Sequence, residues 1–413
     1  MFTYHPSDEV RGTYSKSLDN KKIVLGVTGS VAIYKAVDVA RELIRRAADV
    51  YVVMSPEATK LISPQLFEWA TGNEVYVEFY GESGHVALSH TCDAMIIAPA
   101  TANTIAKIAS GIADTSVTLT ALNFIGLRKP ILLVPSMHLA MYESPQIVEA
   151  INKLKNYGVK VLEPVVEATR AKLPDIEDVV LSTEALILRG PDLQGIKILV
   201  TAGPTREFLD PVRFLTNAST GKMGIAIARE AFFRNANVTL IHGPVDESLI
   251  PKHVKTVKVT TTSEMYDAVI NELRSKTYDA VILAGAPSDF RFRNSSKEKI
   301  NSHIDSITLT LEPTPKISEG VRKIFNGLVI GFAAETVGSD LNALRDRARR
   351  KLMERGFNYI VANDVSRYDI GFASEYDEVL IIGSNGFEKY ISKSRKDIIA
   401  REILDIVKES LGL

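Results

Sequence analysis

The stretch KKIVLGVTGSVAIYKAVDVARELIRRAADVYVVMS (Lys21–Ser55) decides the fold class. KKIVLGVTG is an apolar run that ends in a glycine turn, the pattern of a buried strand. YKAVDVARELIRRA then sets its apolar residues at helical spacing, and DVYVVMS returns to a β-type run. Strand, turn, helix, strand is a βαβ unit, whose two strands lie parallel because a helical crossover carries the chain back. DAMIIAPA and KPILLVPS continue as strands, with TIAKIASGIA and PQIVEAINKLKNYG as helices. The pattern pauses on proline, glycine and polar residues at RGPDLQG (Arg189–Gly195), which reads as a linker. It then restarts with IKILVTAG, GKMGIAIAREAFFRNA and NVTLIHGP, and the strands YDAVILAGAP, GLVIGFAAE and NYIVAND follow between further helices. The sequence predicts an α/β chain of two doubly wound Rossmann-like domains, 21–189 and 190–413, behind a polar lead-in at 1–20. Ligands are expected at the carboxyl ends of the strands.

Composition narrows the class. A chain of 413 residues exceeds one ordinary core, and 46% hydrophobic with 24% charged residues is the balance of a globular protein. A formal net charge of -1 offers no global basic field, so no nucleic-acid partner is expected. The single cysteine, Cys92, rules out an intrachain disulfide framework and fits a reducing cytoplasm. Charged residues interrupt every apolar run before membrane-spanning length, so no membrane partner is expected either. The lead-in MFTYHPSDEVRGTYSKSLDNKK has no apolar signal core. It is expected to be poorly ordered or to lie on a neighbour.

The chemistry-bearing residues sit at strand ends. Neither GxGxxG nor GxxxxGK[ST] occurs. In GVTGSVAIYK, Gly29 permits close backbone approach and Ser30 offers a hydroxyl and an N–H at a helix start suited to phosphate. Ser55, in MSPEATK, stands at a second strand end. The plainer roles are a turn for Gly29 and a helix cap for Ser55. In APATANT, Pro99, Thr101 and Asn103 follow an apolar strand, where hydroxyls and an amide can hydrogen-bond a planar heterocycle.

With these motifs the first half, from about Lys21 to Pro164, resembles the flavoprotein family of cysteine decarboxylases, in the phosphopantothenoylcysteine form. The resemblance implies FMN as cofactor, a site formed between subunits of a trimer, and His85 of the GH stretch as catalytic base. Imidazole suits that task because its ordinary pKa of about 6.5 permits proton exchange near neutrality. His90 is expected on a helix surface. The family's PxMNxxMW loop is PSMHLAMY here, which puts His138 where an asparagine handles the substrate carboxylate and Tyr142 where a tryptophan stands. The family's flap cysteine, which protonates the intermediate, has no counterpart in EPVVEATRAKLPDIED (Glu163–Asp178). Cys92 is read as a small core residue.

In the second half, TAGPTRE (Thr201–Glu207) follows a strand, with Gly203 and Arg206 in a turn suited to cradle an anion. NASTGKMG (Asn217–Gly224) opens an amphipathic helix, with Ser219, Thr220, Gly221 and Lys222 at its start, where N–H groups favour phosphate. An ordinary Ser/Thr cap beside a solvated Lys222 is the alternative. From about Gly195 onward the chain resembles phosphopantothenate–cysteine ligases, through TAGPTRE-LDPVR, N-S-GKMG, HGPV, AGAPSDFR, KEKI, GFAAET and ANDV. The resemblance implies activation of 4′-phosphopantothenate by CTP, or ATP in some members, followed by attack of the cysteine amine. It assigns Asn217 to the acyl intermediate, Lys299 to nucleotidyl transfer, and Asp289 to a divalent metal, Mg2+, on the triphosphate. Gly285, Ala286, Lys316 and Phe332 complete the nucleotide site, Phe332 by stacking on the base. Four positions depart from the family: Gly285 replaces alanine, Asn301 and Ser302 replace lysines, and Lys316 in Pro315-Lys316-Ile317 replaces the aspartate of Pro-Asp-Ile. The ligase half is expected to dimerise near Arg213 and Phe214.

The two halves together imply a bifunctional enzyme of coenzyme A biosynthesis, cytoplasmic and homo-oligomeric, with a dodecamer as one closed solution. The competing readings are a ligase whose flavin half stops at the enethiol, and a non-catalytic FMN-binding regulatory protein.

Overall fold

The computed structural model describes residues 5–79, 83–301, 306–367 and 369–413. The chain divides into two compact units, one ending at Gly190 and the other spanning Pro191–Leu413.

In the first unit the strands are β1 (Lys22–Val27), β2 (Asp49–Met54), β3 (Val75–Tyr76), β4 (Ala94–Ala100), β5 (Ile131–Pro135), β6 (Met137–His138), β7 (Lys160–Val161), β8 (Val165–Glu167) and β9 (Arg170–Lys172). Six form a parallel sheet in the order β3-β2-β1-β4-β5-β7. The central strands are buried on both faces, which is why β4 reads as the unbroken apolar run AMIIAPA. The helix Tyr34–Arg45 buries Ala36, Val39, Ala40, Leu43 and Ile44, one stripe at 3.6-residue spacing. A small antiparallel sheet, β6-β9-β8, stands beside the end of β5.

The lead-in behaves differently from the expectation. Leu18 is fully buried, and the N–H groups of Gly12, Tyr14 and Leu18 donate to the carbonyls of Ile44, Arg45 and Arg46 at 3.0, 2.9 and 2.9 Å. Those carbonyls stand at the C-terminal end of the helix Tyr34–Arg45, so the lead-in supplies further donors to its last turn and its cap residue Arg46. Residues from His5 onward therefore belong to the first unit's own packing.

The second unit contains β10 (Lys197–Ala202), β11 (Arg206–Phe208), β12 (Phe214–Thr216), β13 (Asn237–His242), β14 (Lys255–Lys258), β15 (Ala280–Leu283), β16 (Phe290–Phe292), β17 (Leu311–Pro313), β18 (Leu328–Glu335), β19 (Tyr359–Asp364), β20 (Tyr376–Gly383) and β21 (Glu388–Arg395). The sheet order is β14-β13-β10-β15-β18-β19-β20-β21. It is parallel up to β19, as the βαβ pattern predicts, but β20 and β21 join antiparallel. The Asn385-Gly386 turn, with Gly386 at φ +87°, folds β21 back on β20. Near the linker, the fully buried Arg234 holds both carboxylate oxygens of Asp192 at 2.8 Å and Asp405 at 2.9 Å. This fork of charge-assisted bonds fastens the first residues of the unit to its core.

Each sheet reverses direction of growth at its first strand. β1 has β2 on one side and β4 on the other, and β10 has β13 and β15. The crevices beyond the carboxyl ends of β1/β4 and β10/β15 are thus the places where an open α/β sheet accepts a ligand.

Candidate active sites

In the first unit the crevice is tied by Thr28, whose hydroxyl donates to the Pro99 carbonyl at 2.6 Å and accepts from the Thr101 N–H at 3.1 Å. The ends of β1 and β4 are thereby one polar rim. Ser30 is buried, caps the turn Val31–Ile33, and lies 3.4 Å from the Ser136 carbonyl after β5. Ser55 is a helix cap, accepting from the Ala58 N–H at 3.3 Å. Gly29 serves close approach: a Cβ there would stand 2.8 Å from the Glu57 Cβ, so glycine lets the turns after β1 and β2 touch. Thr101 caps the helix Ala102–Ala109, and Asn103 is exposed in its first turn.

A cavity of about 590 Å³ opens at this rim, lined among others by Ser30, Ser136, His138, Tyr34, Lys35, Arg170 and Lys172. His138 is brought there by β6, whose pairing with β9 sets it opposite Arg170. Three cations and two serine hydroxyls suit a phosphorylated ligand. Sequence reasoning missed Lys35, Arg170 and Lys172. The alternating basic residues of RAK were the available signal, legible only once β9 is known to face β6.

His85 lies in the helix Gly84–Thr91, half-buried beside Phe79 with ring centroids 5.6 Å apart. It is not among the residues lining that cavity, so one chain does not bring His85 and His138 together there. Its Nδ1 is buried and, among the described residues, has no hydrogen-bond partner. An orphaned buried nitrogen costs stability unless a ligand or neighbour completes it, so this atom is poised for one. His90 is exposed at the end of the same helix. Cys92 is core: it is 1% exposed, and burial pushes its thiol up to about 11.

The second unit's crevice is a set of interlocked turns. The Pro204–Ala286 bridge extends β10 and β15, with the Ala286 N–H donating to Gly203 at 2.8 Å. The Gly285 N–H donates to the Thr201 hydroxyl at 3.0 Å, and a Cβ at Gly285 would come within 3.1 Å of that oxygen. HGPV packs on top. A Cβ at Gly243 would lie 1.7 Å from the Pro204 oxygen, and Cβ atoms at Gly203 or Gly221 would each meet Val245 at 2.6 Å. Gly203 (φ +78°) and Gly221 (φ +79°) also hold left-handed backbone. TAGP, STGKMG and HGPV are therefore one packed object, assembled around glycines.

Asn217 donates from its amide nitrogen to the Ala286 and Pro287 carbonyls at 3.0 and 3.1 Å. Both amide hydrogens are engaged, which leaves the amide oxygen to meet a ligand. Ser219 accepts from the Gly221 N–H at 3.3 Å beside the start of the helix Lys222–Phe233. Two expected phosphate ligands are committed elsewhere. The Thr220 hydroxyl donates to Phe372 at 2.6 Å, and Lys222 binds the Ala373 carbonyl and the Glu375 carboxylate. The buried Lys396 fastens that same segment, donating to Gly371, Ser374 and Phe372 at 2.6, 2.7 and 3.3 Å.

Arg206 packs its guanidinium 4.6 Å from the Phe214 ring centroid across the β11–β12 hairpin. Within that hairpin Asp210 is a clamp, also missed from the sequence. It accepts from the N–H groups of Val212, Arg213 and Ile300 at 2.8, 2.7 and 3.1 Å and from the Arg213 guanidinium at 2.7 Å. Burial alone would raise its carboxyl, but these donors outweigh burial and hold it at about 2. The clamp ties KEKI to LDPVR and presents the exposed Lys299 beside the hairpin. Asn301 follows it, while Ser302 lies outside the described residues. Phe332 is half-buried on β18, packed against the core.

Asp289, the expected metal ligand, is exposed and pairs one of its carboxylate oxygens with the Lys316 ammonium. Among the described residues no three His, Cys, Asp or Glu side chains are grouped to hold a metal.

The Flavoprotein family matches residues 11–188, and the DNA/pantothenate metabolism flavoprotein C-terminal domain matches residues 193–411. A coenzyme A biosynthesis bifunctional protein, CoaBC, of Thermococcus kodakarensis is 43% identical over 97% of this chain and 98% of its own length. That of Methanocaldococcus jannaschii is 39% identical over 98% of each. The chain belongs to the coenzyme A biosynthesis bifunctional protein family. Among solved structures, the C-terminal domain of a CoaBC protein aligns at 36% identity and TM-score 0.45, covering 54% of this chain and 98% of that one. Family membership spans both units. Among the described residues no helix is long and apolar enough to cross a membrane.

Proposed function

We infer that this chain carries out two consecutive steps of coenzyme A biosynthesis: its second unit joins cysteine to 4′-phosphopantothenate, and its first unit decarboxylates the product to 4′-phosphopantetheine. The observation that carries this is the match to bifunctional relatives over 97% of the chain, with a ligand crevice at the switch point of each matched half.

A carboxylate acylates an amine only after its oxygen becomes a good leaving group, and CTP supplies that by forming an acyl-cytidylate. The N–H groups opening the helix Lys222–Phe233 and the Gly203 turn donate to the phosphates, with Ser219 and Gly221 beside them. Lys299 offsets charge developing on phosphorus and pyrophosphate. Asn217 orients the acyl group through its amide oxygen, and Phe332 supplies an aromatic face for the base. Gly285 and Ala286 form the floor. Mg2+ carried on the nucleotide's phosphates would offset their charge, and Asp289, paired with Lys316 at one oxygen, would help hold it.

In the first unit, bound FMN would supply a reversible hydride acceptor for the thiol-bearing carbon. Ser30 and Lys35, which line the cavity, with Pro99, Thr101 and Asn103 at the neighbouring strand end would hold such a phosphorylated planar ligand, and His85 would move the proton of the oxidation step through its Nδ1, which has no partner among the described residues. A trimeric flavin unit and a dimeric ligase unit close into a symmetric assembly, a dodecamer in the largest form. Exposed Val31 and Tyr34 in one unit and Phe208, Phe214 and Phe290 in the other support such contacts. A lone reduced thiol supports a cytoplasmic setting.

The test supplies purified chain with 4′-phosphopantothenate, cysteine, Mg2+ and either CTP or ATP, with products read by mass spectrometry. Saturated 4′-phosphopantetheine with CTP is expected. Accumulated phosphopantothenoylcysteine with FMN bound overturns the decarboxylase half. Absence of any cysteine adduct overturns the ligase half.

A further inference from the structure

Decarboxylation leaves an ene-thiolate, –NH–CH=CH–S⁻, and a saturated product requires one proton and one hydride. The group that delivers the proton must reach the cavity, carry a labile proton near neutrality and regain it from solvent. The one cysteine of the chain meets none of these conditions, because Cys92 is sealed in the core and its thiol is held up at about 11. The β8–β9 hairpin beside the cavity contributes Arg170 and Lys172, and the helix side contributes Tyr34 and Lys35. The two ammonium groups and the guanidinium suit the anionic parts of a ligand, and a phenol is by type a weaker acid than an imidazolium. The serine hydroxyls at positions 30 and 136 are weaker acids still. One lining residue is of the type that exchanges protons near neutrality: His138.

Its placement meets the remaining conditions. His138 lines the cavity with Ser30 and Ser136, is exposed to solvent for reprotonation, and is fixed by β-pairing directly opposite Arg170. Resting on the decarboxylase reading above, we propose that His138 is the general acid of the flavin unit, protonating the carbon that has lost CO2. The C=C electron pair takes the imidazolium proton at the nitrogen-bearing carbon, and a sulfur lone pair closes C=S, giving –NH–CH2–CH=S. The hydride held by the reduced flavin since the oxidation step then adds to the thioaldehyde carbon, giving –NH–CH2–CH2–S⁻. The flavin is reoxidised, and the neutral imidazole takes a proton from water. His85 and His138 thus divide the proton work between two positions.

The experiment gives phosphopantothenoylcysteine to the full flavin-loaded chain under anaerobic conditions and compares the natural chain with His138→Asn and His138→Gln. In the natural chain, turnovers that release CO2 end in the saturated thiol and the flavin's visible absorbance returns. In the variants, the majority of CO2-releasing turnovers end two hydrogens lighter and the flavin stays bleached. A second readout uses flavin-free chain: diethylpyrocarbonate labels His138, as read by peptide mass spectrometry, and phosphopantothenoylcysteine suppresses the labelling. Saturated product in undiminished proportion from both variants overturns the proposal, as does labelling that substrate leaves unchanged. Folded, flavin-bound variants that release no CO2 also overturn it, since His138 would then act before the reduction. If the natural, flavin-loaded chain itself releases no CO2, the decarboxylase reading fails instead.

Discussion

Replacing Gly243 with alanine tests whether HGPV is the keystone of the ligase crevice. The added Cβ would sit 1.7 Å from the Pro204 oxygen and 2.8 Å from its carbonyl carbon. Carbon and oxygen in ordinary contact stand about 3.3 Å apart, so one backbone segment must yield by roughly 1.5 Å. Neither partner is a flexible side chain that can swing away. Overpacking of this kind costs about 3 kcal/mol, and loss of the Ala286-to-Gly203 bond that Pro204 adjoins adds about 1 kcal/mol. For a unit of this size that lowers the unfolding midpoint by roughly 10 °C. Calorimetry follows the second unit's transition, while ligase kcat/KM reports the crevice and flavin retention the first unit. The expected outcome is a lowered second transition, at least tenfold lower ligase kcat/KM and unchanged flavin content. Gly126→Ala is the control, because nothing lies within 4 Å of a Cβ there and its backbone is helical. It is expected to be neutral or stabilising by about 0.5–1 kcal/mol. A Gly243→Ala protein with an unshifted transition and natural ligase kinetics would refute the packing argument.

Three further outcomes follow from the same geometry. His85→Asn removes the proton acceptor of the oxidation step and is expected to lower CO2 release by about 10²–10⁴-fold, with ligation and flavin content intact, measured by separate assays of each half. Cys92→Ala, a change confined to the core, leaves the saturated product forming at the natural rate; a product two hydrogens lighter would show the thiol to be chemical after all. The Asp210 clamp is sensitive to acid: its carboxyl, held at about 2 in the folded chain, lies below the ordinary carboxylate value of about 3.9. The clamp's contribution is therefore complete above about pH 4 and is lost as pH falls towards 2, so protease cleavage near Lys299 should rise through that window. Cleavage independent of pH there would remove Asp210 from that role.

The sites were legible to different degrees. Strand ends announced Ser30, Thr101, Gly203 and Gly285, because a βαβ chain places its turns at one edge of the sheet. Lys35, Arg170, Lys172 and Asp210 were not, since nothing within a turn or two of each marks it as facing a ligand or a distant segment. Thr220 and Lys222 looked like phosphate ligands at a helix start, and the 371–375 segment, more than a hundred residues away, engages them instead. The pairing of Asp289 with Lys316, 27 residues on, was likewise not visible in the sequence.

What the sequence by itself determined is the alternation of strand and helix, the break at Arg189–Gly195, and the set of motifs that places the chain in its family. These depend on periodicity and turn chemistry, which act over a few residues. Only the tertiary structure decided that HGPV locks TAGP to STGKMG, that Asp210 joins LDPVR to KEKI, and that the lead-in donates to the last turn of the helix Tyr34–Arg45. It also decided the antiparallel edge of β20 and β21 and the meeting of His138 with Arg170. Those pairings depend on strand order and on which buried donors and carbonyls remain to be satisfied, and that is settled only when distant parts of the chain pack together.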